Sequence, residues 1–175
     1  MKHIVKVFFW LALVAVCPGL CASCAGSSPQ PSIGGAIDKV LVLKSQRSMQ
    51  LLNKGLAVKT YKVALGGAPT GTKTCQGDGK TPEGTYLLDW RNPLSKFHLS
   101  LHVSYPAQAD RARAQKAGCP PGGDIMIHGL PDKWKTVGVL HRLIDWTDGC
   151  IAVTNEEMDE IWKMVPDGTV IEIKP

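Results

Sequence analysis

Phe97-His98-Leu99-Ser100-Leu101-His102-Val103-Ser104-Tyr105 alternates apolar and polar residues without a break, which is the period of a strand with one face buried. Apolar stretches on either side extend this into a strand-rich pattern: 40–43, 48–52 and 58–65, then 85–90, 125–128 and 170–173. Asn53-Lys54-Gly55 between the second and third is a hairpin signal. His98 and His102 fall on the same polar face, four residues apart in extended chain. At roughly 13 Å by strand rise they cannot chelate one ion together, so they are expected to be solvated or to line a cleft. Two helices interrupt the strands. Residues 107–117 are rich in Ala, Gln, Arg and Lys and stop at Gly118. The second starts at Thr154, where Thr-x-x-Glu forms a capping box with Glu157 and Met158, Ile161, Trp162 and Val165 line one face. The predicted fold is mainly β with a few helices, in one domain.

The first residues follow a different logic. A short positive segment, 1–6, precedes an unbroken apolar run over 7–17 and then small residues. That is the layout of a secretory signal, too short to remain as a membrane-spanning helix. Residues 1–24 are therefore set aside as a signal, and 25–37, rich in Ser, Pro and Gly, as a linker. Two processing routes stay open: Cys21-Ala22-Ser23-Cys24 resembles an imperfect lipobox that would lipidate Cys24 and anchor the chain to a membrane, and Ser23-Cys24-Ala25 suits ordinary cleavage. Either way the protein is expected to be exported, to the periplasm or cell envelope. The formal charge of +5 includes Lys2 and Lys6 of this leader. No dense Lys/Arg cluster remains, so a nucleic-acid partner is not expected.

Of six cysteines, Cys17, Cys21 and Cys24 belong to the signal region and Cys75, Cys119 and Cys150 to the domain. Three thiols in an oxidising compartment imply one bridge and one free or reactive thiol. Cys75 and Cys119 both lie in Gly/Pro-rich loops that a disulfide would restrain. With no C-x-x-C pair beyond the leader, no metal site is expected.

The chemistry concentrates between Ile125 and Asn155. Ile125-Met126-Ile127-His128-Gly129 presents an imidazole at a strand end beside a turn. Asp145-Trp146-Thr147-Asp148-Gly149-Cys150-Ile151 delivers a cysteine from a tight turn just ahead of the capped helix. A thiol needs a base to become a nucleophile, and Gly149 lets backbone N–H groups approach a substrate carbonyl.

Four stretches in order resemble the YkuD-type L,D-transpeptidase catalytic domain, in its YafK-like branch, over about residues 39–174. Gly77-Asp78-Gly79-Lys80-Thr81-Pro82-Glu83-Gly84-Thr85-Tyr86 looks like the family's TPxGxY segment, preceded by the strand end Leu65-Gly66-Gly67. Ser104-Tyr105-Pro106 with Asp110 resembles the region after the central strand. Ile127-His128-Gly129 matches the HG pair, Thr147-Asp148-Gly149-Cys150-Ile151 matches the [S/T]-x-G-C signature, and Asn155 stands where many members carry Asn.

The resemblance implies a YkuD-like β-sandwich catalytic domain over 38–175 acting on peptidoglycan stem peptides, with no cofactor. Cys150 would attack the amide after the diamino-acid residue, release the terminal D-amino acid and leave a thioester. His128 would serve as general base, and the N–H groups of Gly149 and Cys150 would hold the oxyanion. Thr147 would order the turn, and Arg142, Thr147 and Tyr105 are expected substrate contacts. The chain departs from the pattern in carrying Asp148 where many members have a second histidine and Ala152 where an arginine often follows; Arg142 either supplies a substrate-carboxylate contact in place of that arginine or is a plain surface arginine, and Asp145 either orients it or caps the turn. His141 is the rival base. The acyl-enzyme could pass to an amine, forming a cross-link or attaching a lipoprotein. It could instead pass to water, which would make the protein an endopeptidase or amidase releasing a wall-linked lipoprotein. A non-catalytic wall-binding lipoprotein is a further alternative, and a redox role would pair Cys150 with Cys75 or Cys119. The resemblance also implies acylation of Cys150 by a carbapenem.

Overall fold

The computed structural model describes residues 36–175; the expected signal and most of the expected linker lie outside them. β1 (Lys39–Leu43), β2 (Ser48–Asn53) and β3 (Leu56–Lys62) form an antiparallel meander, with Val40 set against Leu51 and Val42 against Met49 in the core. Lys54 and Gly55 between β2 and β3 both have positive φ, 50° and 80°, the backbone that a two-residue hairpin demands. β4 (Gly84–Ser95), β5 (His98–Val103), β6 (Met126–His128), β7 (Ile151–Ala152) and β8 (Thr169–Lys174) complete an eight-stranded sheet ordered β3-β2-β1-β8-β4-β5-β6-β7.

The two ends of that order meet. Beyond β3, Ala64 exchanges both backbone hydrogen bonds with Ala152 of β7 (2.9 and 3.0 Å), and Leu65 and Gly67 bond to Thr147. The expected sandwich is thus one sheet curled back on itself around a single core. That core takes Val40, Met49, Leu101, Val103, Ile127 and Ile171 from the strands and Met158 and Ile161 from α2 (Asn155–Met164). Thr154 and Glu157 form the expected capping box, the Thr154 Oγ1 accepting from the Glu157 N–H and the Glu157 carboxylate from the Thr154 N–H. α1 (Gln108–Lys116) is capped at Ala117 and followed by Gly118, whose φ is +72°.

Three features differ from the sequence reading. β4 runs on to Ser95 through two bulges, because only its Gly84–Leu88 portion pairs with β8 and the rest needs β5 alone. Two 3₁₀ turns, Asp132–Trp134 and Gly138–Leu143, occupy a stretch to which the sequence pattern assigns no element. His98, the first residue of β5, has φ +71°, which breaks the strict alternation at its second residue.

Candidate active site

β6 and β7 run parallel, with His128 beside Ala152. Cys150, one residue ahead of β7, therefore falls beside Met126, and period-two alternation brings its side chain out on the His128 face. Both side chains line the same two cavities, of about 350 and 320 Å³, on either side of the thiol. The Cys150 Sγ accepts from the Met126 N–H at 3.4 Å and donates to the Asp124 carbonyl at 3.5 Å.

The turn that carries the thiol is fixed from three directions. The Thr147 hydroxyl accepts from the Gly149 N–H at 3.2 Å and donates to the Cys150 carbonyl at 2.8 Å. Asp145 accepts a forked pair of bonds from the Arg47 guanidinium (2.7 to 3.1 Å) and one from the Leu65 N–H (2.9 Å). Behind the turn, backbones from three quoted glycine motifs converge. A Cβ on Gly66 would stand 2.2 Å from the Gly79 carbonyl, and one on Gly149, whose φ is +123°, would stand 2.5 Å from the Lys80 carbonyl. Only glycine fits either place.

On the facing strand end, a Cβ on Gly129 would meet Asn155 Oδ1 at 2.5 Å. That oxygen accepts from the Leu130 N–H at 2.7 Å, so Asn155 shapes the turn after His128. His128 is buried and its Nδ1 lies 2.6 Å from the Gly129 carbonyl. A carbonyl only accepts, so Nδ1 carries the proton and Nε2 is the basic nitrogen. Burial in this apolar setting pushes the imidazole down to about 4, against the hydrogen bond to Gly129, and pushes the Cys150 thiol up to about 11. The resting pair is neutral thiol and neutral imidazole.

Several expected contacts lie elsewhere. Of the two amides expected to hold an oxyanion, that of Gly149 is already given to Thr147; the Cys150 N–H has no partner among the described residues. Arg142 does not line the thiol's cavities: its guanidinium is paired with Glu157 at the start of α2, and Asp145 serves Arg47 instead of orienting it. Tyr105 is buried, with its hydroxyl donated to the Pro121 carbonyl at 3.0 Å, so it braces the loop before β6 rather than facing the cleft. His141, the rival base, lies off both cavities, and its Nδ1 accepts from the Trp146 indole N–H at 3.4 Å. His98 and His102 each pair with a carboxylate, Asp159 at 2.8 Å and Asp89 at 2.6 Å, and neither lines the thiol's cavities. Cys75 and Cys119 are joined, which leaves Cys150 as the free thiol of the described residues and removes the redox pairing.

Two residues escaped the sequence reading. Phe97 lines both cavities and packs on His128 with ring centroids 4.5 Å apart; Trp146 meets the same imidazole edge-on at 5.7 Å. Both were legible only as strand and turn residues, since nothing in spacing predicts that segments about 50 apart wall in one ring. No group of three or more His, Cys, Asp or Glu among the described residues could hold a metal ion.

Residues 38–173 match the YkuD family, the L,D-transpeptidase catalytic domain. Among curated proteins, the chain is 27% identical over 183 residues to "Putative L,D-transpeptidase YafK" of Escherichia coli, covering 97% of this chain and 66% of that one. Among solved structures, the helical cell shape determining protein Pgp2 of Campylobacter jejuni superposes with a TM-score of 0.62 at 26% identity, over 81% of this chain and 48% of that one. Bd1075 of Bdellovibrio bacteriovorus does so at 0.53, also 26% identical, over 77% and 46%. The chain thus spans about two thirds of the length of the curated relative and about half of these solved ones. With the family match running from β1 to β8 and taking in both His128 and Cys150, the chain belongs to the YkuD family of L,D-transpeptidase catalytic domains.

Proposed function

We propose that this chain is an exported L,D-transpeptidase that works on peptidoglycan stem peptides through a thioester on Cys150. The observation that carries the reading is the free thiol and an imidazole with an unprotonated Nε2 lining the same cavities. As the Cys150 sulfur attacks the carbonyl carbon of the diamino acid, its proton passes to His128 Nε2. The carbonyl oxygen, now negative, takes the Cys150 N–H. On collapse the C–N bond breaks, the departing D-amino acid takes the proton from His128, and the acyl group stays on sulfur. An acceptor amine then attacks the thioester, giving its proton to His128 and displacing the sulfur, which recovers that proton.

Thr147 acts here by holding the turn, since its hydroxyl is spent on Gly149 and Cys150. Export is supported by the Cys75–Cys119 bridge, which belongs to an oxidising compartment, and by the leader. Lipid attachment at Cys24 is the anchoring route this reading retains. The name of one relative as a cell shape determining protein accords with wall remodelling.

The test is to incubate the protein with tetrapeptide muropeptides and with sacculi carrying a wall-linked lipoprotein, and to identify products by mass. New cross-links with loss of a D-amino acid support transfer. Water in place of the amine, or released lipoprotein peptide, makes the protein a hydrolase. Products that persist in Cys150→Ala contradict the thioester.

A further inference from the structure

The second 3₁₀ turn and its flanks place aliphatic side chains in water. Val139, Leu140 and Ile144 are each more than 60% exposed and Leu143 is 80% exposed, which is more apolar surface than isolated residues account for. Leu140, Leu143 and Ile144, together with Trp134 and Val137, line a groove of about 370 Å³, within the range of about 300–1,000 Å³ typical of ligand sites. At its base lies His141, 3% exposed.

That histidine points to a ligand. Its Nδ1 accepts from the Trp146 indole, which can only donate, so the proton of the neutral ring sits on Nε2. Nε2 is buried and has no partner among the described residues. A buried N–H without an acceptor costs about 1–3 kcal/mol. No other side chain lining the groove offers an acceptor. The missing component is an apolar chain bearing a carbonyl.

The rim says where such a chain comes from. Lys133 and Lys135 are exposed on either side of Trp134, with the Lys133 ammonium 6.0 Å over the indole. Aliphatic tips, an indole and flanking lysines are the chemistry of a segment seated at a lipid interface, the lysines reaching anionic headgroups. A second copy of the chain fits less well, because the side chains lining this groove would bring no free acceptor to Nε2.

We propose that the 132–144 segment seats the protein on an anionic phospholipid surface, with one acyl chain in the groove and its ester carbonyl accepting the His141 Nε2–H. This places the segment in the headgroup layer whichever reaction Cys150 performs.

The test uses the full chain with vesicles of phosphatidylglycerol and phosphatidylcholine carrying brominated acyl chains. The apolar run over 7–17 can also meet lipid, so the readout is the quenching lost in Trp134→Phe. Expected is Trp134-dependent quenching, weakened at least tenfold in affinity by Leu140→Asp with Leu143→Asp, both exposed positions. It also falls several-fold when the ester lipids are replaced by diether lipids of the same headgroup. Quenching unchanged in the double variant would overturn the proposal, as would vesicle binding with no Trp134 component or a dimer in sedimentation that the double variant dissolves. Equal quenching by ester and ether lipids would overturn the role given to His141.

Discussion

Replacing His128 by alanine separates two ways in which a histidine can serve a cysteine. In one, the imidazole holds a standing thiolate as an ion pair; in the other it takes the proton only as the sulfur attacks. The Cys150 thiol lies at about 11 and His128 at about 4, so the charge-separated pair is disfavoured by about seven powers of ten before its own attraction is counted. Even a contact pair at about 4 Å recovers only about 4 kcal/mol, or about three powers of ten. The pair is neutral in nearly every molecule at pH 7. The rate of iodoacetamide alkylation of Cys150 should therefore climb about tenfold per pH unit from pH 6 to 9 without a plateau. His128→Ala should leave that profile in place while lowering turnover of stem peptides by about 10²–10⁴. A plateau reached by pH 7 that His128→Ala abolishes would refute the reasoning and establish a standing ion pair.

Thr147→Val removes the hydroxyl that serves both Gly149 and Cys150. Each orphaned backbone group costs about 1–3 kcal/mol, so thermal denaturation should show a clear loss and turnover should fall, with Thr147→Ser restoring both. Opening the Cys75–Cys119 bridge by paired serine substitution frees a loop with a sequence separation of 44. Loop entropy then predicts a loss of about 4 kcal/mol in urea denaturation. Burial holds His128 and His141 at about 4 in the folded protein against an ordinary 6.5, so the unfolded chain binds more protons between those values. Stability is full above pH 6.5 and lost as pH falls toward about 4. Melting temperatures at pH 7.0 and 4.5 should differ, and His141→Gln should shrink the difference.

Much of the site was legible because its demands are local. The capping box at Thr154, the positive-φ turn at Lys54 and Gly55, and the strand end at His128 each follow from a few adjacent residues. The glycines of three motifs were legible as motifs, and the structure gives their common cause in the close approach of Gly66, Gly79 and Gly149. What could not be read depends on distant partners. Arg142 looks free in sequence, yet Glu157 takes it; Tyr105 looks like a cleft residue, yet the Pro121 carbonyl holds it. Gly149 looked like an oxyanion donor until Thr147 was found to occupy its N–H. The second 3₁₀ turn went unseen because its aliphatic residues face outward, so no buried period marks it.

The central claim is that the acyl group rests on one sulfur. Intact mass and peptide mapping after rapid acid quenching of the protein with a tetrapeptide muropeptide tests it directly. The account predicts an adduct on Cys150 equal to the donor less its terminal D-amino acid. Turnover with Cys150 unmodified at every quench time, or an adduct carried by another residue, contradicts it.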